Sequence, residues 1–353
     1  MSASTAAGSA FLPEDGRRGR ESGNGTRATS LLSRARILTA PIMRTAVDTL
    51  PGDLRSMAAY HLGWCEAGSG STLSGRGLGP ALVIAAAEAA GCPAEGATHA
   101  AAAVELVHNF TLIHDDVMLG DLVRHGRPAL WRVWGVDDAV LAGDALHSLA
   151  LWTLCDGPRA ALSAVARLED AVIELCLGQH HDLASEDGLD FTLDGCLEVL
   201  RHKSAALLGC ACAVGALCAG APSEVVAAMD RFGREVGIAC RIVHDMRGIW
   251  GDPARPTRPV GSDLLRRKHT LPVVAALNSP TPAGREFAEI YAADRPMDQA
   301  TAAHAAQLIE RAGGKAWAQA ESVRHVRAAA AMVAGPRTGD LLALAESVVN
   351  RER

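Results

Sequence analysis

His114 to Pro128 reads HDDVMLGDLVRHGRP. Two adjacent acids, Asp115 and Asp116, close an apolar run, and two basic groups, Arg124 and His125, follow in a Gly/Pro-rich loop. Upstream, Ala101 to Leu112 carries Val104, Leu106, Val107, Phe110 and Leu112, the pattern of a buried helix. A carboxylate pair at the end of such a helix is costly unless a cation neutralises it. One or two carboxylates beside bound phosphate are what a Mg²⁺ site uses. An acidic helix end on a solvated loop would leave the same local trace, so the remainder of the chain decides between them.

A second apolar helix also ends in acids: IACRIVHDMRGIWGDP, Ile238 to Pro253. It is followed by Arg258 and by the basic run DLLRRKHTLP, Asp263 to Pro272. Helical periodicity dominates between and around these stretches. Pro51-Gly52 breaks one helix, Pro80 can open another, and Ser223 can cap the long helix that bears the second acids. The segment from Asp190 or Thr192 reads as a helix interrupted near Lys203-Ser204. From Thr270 onward, three or four shorter Ala-rich helices are expected. No alternating Val/Ile/Thr run is long enough for a sheet, and no Pro/Gly linker is long enough to divide domains. The expected architecture is all-α, a single-domain helical bundle over residues 31–353 with a central apolar cavity, preceded by a disordered tail over residues 1–30.

Composition narrows the function. The chain has 353 residues, a formal net charge of −6 and 49% hydrophobic residues, which argues against nucleic acid as a partner. Its nine Cys form no CxxC pair, and Cys210, Cys212 and Cys218 sit in an Ala/Leu/Gly helix pattern as small core hydrophobes. That usage fits a reducing cytoplasm. No integral membrane segment is expected. Ser204 to Gly220 falls short of a span and reads as a buried helix.

The blocks ELVHNFTLIHDD, LAGDALH, GQHHDLASE, RHKSAALLG and GIWGDPARPTRPVGSDLLRRK occur in this order. Together they resemble the trans-isoprenyl diphosphate synthases, or polyprenyl synthetases, from about Leu31 to the C-terminus. The resemblance implies a helical bundle of the isoprenoid synthase type, Mg²⁺ as cofactor, an allylic isoprenyl diphosphate as substrate, and a homodimer. It assigns Asp115, Asp116 and Asp245 to metal binding. Arg124 and Lys203 would hold the allylic diphosphate, with Gln179, Arg258 and Lys268 nearby. Phe110, with small Thr111 beside it, would close the tail pocket and favour a C15 or C20 chain.

The departures from the family pattern carry equal weight. In the first motif, DDxxD, the last Asp falls on Leu119. Asp121 could substitute only if the helix ends at Gly120. In the second motif His244 stands where the first of two Asp is usual, and imidazole is a poor Mg²⁺ ligand. Arg241 stands where the family often has Gln. Elongating members hold isopentenyl diphosphate with GKxxR and with the second Arg of RRG. Here those positions read Gly75-Arg76-Gly77-Leu78-Gly79 and Arg124-His125-Gly126. Arg76, His108 and His125 remain to bind it. Losing Arg at Gly79 and at His125 would cost about 3–6 kcal/mol if the terms add. This asymmetry favours a Mg²⁺-dependent terpene synthase that ionises, and cyclises, one allylic diphosphate with release of pyrophosphate. The alternatives are a chain-elongating prenyltransferase and a non-catalytic partner subunit of such a synthase.

Overall fold

Ala-rich helices pack closely because their faces are shallow, and this chain exploits that repeatedly. The computed structural model describes residues 14–64, 77–158, 162–186, 192–251, 260–293 and 296–349. In chain order, α1 (Glu14–Asp48), α2 (Gly52–His61) and α3 (Leu78–Ala89) lead through a 3₁₀ turn (Ala94–Ala97) to α4 (Thr98–Met118). A small hairpin follows, β1 (Val123–Arg124) and β2 (Arg127–Pro128). Then come α5 (Leu130–Trp134), α6 (Val136–Cys155), α7 (Leu162–Glu186), α8 (Leu193–Cys218) and α9 (Ser223–Trp250). The chain finishes with α10 (Ser262–Leu265), α11 (Leu271–Leu277), α12 (Pro282–Ala292), α13 (Gln299–Arg311), α14 (Gly314–Met332) and α15 (Gly339–Val349). The all-α expectation holds, the hairpin being the only strand pair among the described residues.

The main core is built from α1, α3, α4, α6, α8, α9 and α15. Ala100 to Val104, Leu106 and Val107 are buried on α4, and Cys210, Cys212 and Cys218 are buried on α8. A second apolar cluster lies under α10 to α13, around Ile249, Phe287 and Leu308. No helix among the described residues is long and apolar enough to cross a membrane.

Two glycines let the site-bearing helices approach. A Cβ on Gly178 of α7 would lie 2.6 Å from the Lys203 backbone nitrogen on α8, and one on Gly237 of α9 would lie 2.7 Å from Ala205 Cα. The helix α8 runs without a break through Lys203 and Ser204, contrary to the expected interruption. Packing of both flanking helices against it accounts for the continuity.

The expected disorder over residues 1–30 fails where the structure describes that region. Helix α1 reaches back to Glu14, Ala28 is buried, and Arg27 Nε meets Asp340 Oδ1 of α15 at 2.6 Å. The polar composition is that of a tail, but docking on α15 supplies the burial that composition alone could not. Residues 1–13 lie outside the described residues.

Candidate active site

A cavity of about 1580 Å³ opens between α4, α7, α8 and α9. Asp115, Gln179, Lys203, Arg241, Asp245 and Lys268 all line it, so the two acidic helix ends share one space.

The first acidic cluster is completed by a turn. Helix α4 stops at Met118, Leu119 caps it, and Gly120 takes φ +63°. That left-handed step suits glycine and sends Asp121 back toward the helix, its N–H donating to the Asp116 carbonyl at 2.9 Å. The condition set on sequence for Asp121 is therefore met. Asp121 and Leu119 both line the cavity, and Asp121 is paired with Arg266 and lies 3.8 Å from Arg124. Asp116 is almost wholly buried and accepts from Arg124 Nε at 2.9 and 3.2 Å. Asp115 meets Lys203 Nζ at 3.9 Å, beyond hydrogen-bond reach. Burial pushes the carboxyls of Asp115 and Asp116 above the ordinary range, against the pull of Lys203 on the first and of Arg124 on both.

Arg124 is aimed by the hairpin. Val123 pairs with Pro128 and Arg124 with Arg127, leaving His125 and Gly126 as the turn. Both take positive φ, +53° and +79°, as a type I′ turn demands. Alternation then exposes Val123 and turns Arg124 inward.

On the α7–α8 wall, Lys203 Nζ donates to Asp182 Oδ2 at 2.7 Å. Gln179 is buried, and neither end of its amide has a hydrogen-bond partner among the described residues. A buried amide left so is expensive unless a ligand completes it.

The second cluster differs. Asp245 is 2% exposed, while the His244 side chain is 51% exposed, its Nδ1 3.9 Å from Asp245 Oδ1. Arg241, one turn earlier, brings Nε to 2.8 Å from Asp245 Oδ1. Burial alone would raise the Asp245 carboxyl; Arg241, helped by His244, more than offsets this and holds it below the ordinary value. Lys268 enters from the segment after α10. Arg76, Arg258 and Asp252 lie outside the described residues.

Of the basic wall that adjoins the first acidic cluster through Arg124, sequence reading found only part. His108, Arg124 and His125 are joined there by Arg36 of α1, His61 of α2 and Arg127. Arg36 runs over Gly77, where a Cβ would meet its Cγ at 3.2 Å. Arg36 and His61 went unnoticed because their elements precede the motifs and carry no signature of their own. Burial, with Arg124 and His125 adding to it, drives His61 down to about 3 and His108 to about 4. Glu105, 2% exposed, is pushed by burial to about 7 despite Asn109 and Arg36. Phe110 packs edge-on against His114, ring centroids 4.9 Å apart, and lies 5.3 Å from His147. Thr111 lines the cavity beside it, its hydroxyl donating to the His108 carbonyl at 2.7 Å.

The donor set can be weighed against a metal. Among the described residues no three His, Cys, Asp or Glu side chains converge on one point. The first cluster offers hard carboxylate oxygens whose burial penalises their charge, which fits Mg²⁺ shared with a phosphate ligand. On α9 the second cluster offers one carboxylate, Asp245, with Arg241 beside it and His244 in place of a second acid, a poorer donor set for Mg²⁺ than the three acids at the end of α4.

The fold and this cavity define an all-helical protein with acids and cations converging on one space, and comparison gives the class. The polyprenyl synthetase family model matches residues 67–309. A geranylgeranyl diphosphate synthase of Mycobacterium tuberculosis is 45% identical over 328 residues, covering 92% of this chain and 94% of the relative. A (2E,6E)-farnesyl diphosphate synthase of Mycobacterium bovis is 42% identical over 316 residues, covering 87% and 88%. The crystal structure of a polyprenyl synthetase from Streptomyces coelicolor A3(2) superposes with a TM-score of 0.85 at 37% identity, covering 91% of this chain and 99% of that one. The chain belongs to the polyprenyl synthetase family and is an enzyme. Both curated relatives are named diphosphate synthases, so the cyclising reading preferred on sequence is not supported and the elongating alternative is favoured.

Proposed function

We propose that this protein is a Mg²⁺-dependent chain-elongating prenyltransferase that joins isopentenyl diphosphate to an allylic diphosphate and yields a C15 or C20 diphosphate. The observation that carries the reading is the division of one cavity into an acidic mouth and a basic wall. At the mouth, Asp115, Asp116 and Asp121 hold the metal, and Arg124, Lys203, Gln179 and Lys268 receive the allylic diphosphate. The metal supplies Lewis-acid stabilisation of the departing pyrophosphate. At the wall, Arg36 stands beside Gly77, two residues before Gly79, and brings a cation to the wall that lacks the Arg at Gly79. With His61, His108 and His125 it gives the homoallylic diphosphate a receptor, and the main sequence-level objection to elongation loses its force. Phe110, with His114 and His147, limits tail length.

Exposed Val136, Val140, Leu141 and Trp152 of α6 and Ile173 and Leu177 of α7 form an apolar face suited to a homodimer. A soluble, cytoplasmic setting suits the free thiols of the cavity helices.

The test is incubation with C5, C10 and C15 allylic diphosphates, with and without isopentenyl diphosphate. Longer diphosphates formed only in its presence are expected. Hydrocarbon or alcohol released from a lone allylic diphosphate would overturn the reading. Phe110→Ala should shift the product toward longer chains, read by chromatography of the dephosphorylated alcohols.

A further inference from the structure

We propose that Arg241 is the resident cation of the second acidic cluster, and that its guanidinium binds the substrate diphosphate directly where a bridging metal would otherwise be needed. The inference deepens the reading as a diphosphate-handling synthase and rests on it.

The geometry excludes a metal at this point more readily than it admits one. Arg241 and Asp245 lie one turn apart on α9, on the same face, and both line the cavity. Arg241 Nε is 2.8 Å from Asp245 Oδ1, so a divalent ion on that oxygen would meet a positive charge. His244 lies about a hundred degrees round the helix and is half exposed, so it does not complete a ligand set. Asp263, which also lines the cavity, is packed against Gly248, where a Cβ would run into its carboxylate.

A plain helix-stabilising pair is a poorer account. An acid one turn before a base is the favourable order on a helix, and here the order is reversed. The pair is also out of hydrogen-bond alignment, leaving Arg241 Nε and Asp245 Oδ1 buried and unsatisfied. The guanidinium is thus held in position beside Asp245 without being satisfied by it, and its N–H groups can donate to a diphosphate oxygen. Asp115, Asp182 and Asp263 all lie close enough to favour the charged guanidinium further. Guanidinium presents five donors in a planar fork that suits phosphate oxygens, and it needs no coordination shell.

The experiment is calorimetric titration of the full chain with inorganic pyrophosphate in EDTA and again in Mg²⁺. The wild type is expected to bind without metal. Arg241→Gln should weaken that metal-free binding by about tenfold to a hundredfold, the span of a charge-assisted hydrogen bond. Arg241→Lys should recover part of it. Because Arg241→Gln leaves Asp245 buried and unpaired, the pair Arg241→Gln/Asp245→Asn is measured alongside, with circular dichroism as the fold control; it should lose metal-free binding equally. Wild-type binding that needs Mg²⁺ absolutely, or equal metal-free affinity in Arg241→Gln, would overturn the proposal. Elongation by the wild type is assayed in parallel. Elongation without metal-free pyrophosphate binding sinks this inference and leaves the function standing. Metal-free binding lost in Arg241→Gln, without elongation, supports this inference and sinks the function.

Discussion

The ends of α4 and α9 are built alike, each an apolar helix that delivers acids into a cavity, and each lacks one acid of the expected pattern. They compensate differently. After α4 the chain turns at Gly120 and returns Asp121 to the site, so the lost carboxylate at Leu119 is replaced by another carboxylate. On α9 the returning acid, Asp263, packs against Gly248, and it is Arg241 that is set against Asp245. At the α4 end three carboxylates share Arg124, Arg266 and Lys203. At the α9 end Asp245 faces Arg241 across one helical turn, with no aligned hydrogen bond between them. A buried carboxylate needs positive charge but does not specify its source.

The contrast can be broken most severely at Asp115. Asp115→Asn should lower kcat by about 10²–10³-fold, as removal of a group that stabilises transition-state charge does, while the far-ultraviolet spectrum stays unchanged. A variant with kcat within a fewfold of the parent would deny the α4 end its special standing. A smaller effect, about tenfold in apparent Mg²⁺ affinity, is expected for Asp121→Asn. Leu119→Asp should move that affinity the opposite way. His244→Asp alone should leave it unchanged, because Arg241 still holds the neighbouring oxygen. Equal responses to Leu119→Asp and His244→Asp in a Mg²⁺ titration with pyrophosphate would erase the difference between the two ends.

The effect expected to fall least on the site itself concerns two glutamates placed at the same interval before the acids. On α9, Glu235 is paired with His325 at 2.6 Å. On α4, Glu105 is buried with Oε1 unsatisfied and titrates at about 7 against an ordinary 4.5. The folded state therefore holds an extra proton between those values, and its stability falls as pH rises through that window. His61 and His108, held at about 3 and 4, act in the opposite sense below their ordinary 6.5. Glu105→Gln removes only the first contribution. The variant should gain stability relative to the parent as pH rises from 4.5 to 7, by about 2–4 kcal/mol at most. Urea unfolding at several pH values checks this, and a pH-independent difference would mean that Glu105 is ionised throughout.

Much of this was legible beforehand. Ala-rich periodicity gave the helices, and the paired acids gave the cavity mouth, because both are local patterns. Asp121 was readable only conditionally, since its place depends on where α4 stops. Arg36 and His61 were illegible because their relation to Gly79 and His108 is tertiary, made by the docking of α1 and α2. The same physics misled at the N-terminus, where a tail-like composition folds as helix once α15 is there to receive Ala28 and Arg27.

The hairpin after α4 has a consequence for what the family scaffold tolerates here. Its turn has two residues and no slack, and side chains on a strand change face with every residue. One residue inserted or deleted within β1 would swing Arg124 out to solvent and bring a valine in. The mouth would turn from an anion clamp into a greasy lip with every acid still in place. The aim of Arg124 therefore depends on the length of this segment as strictly as on its charges.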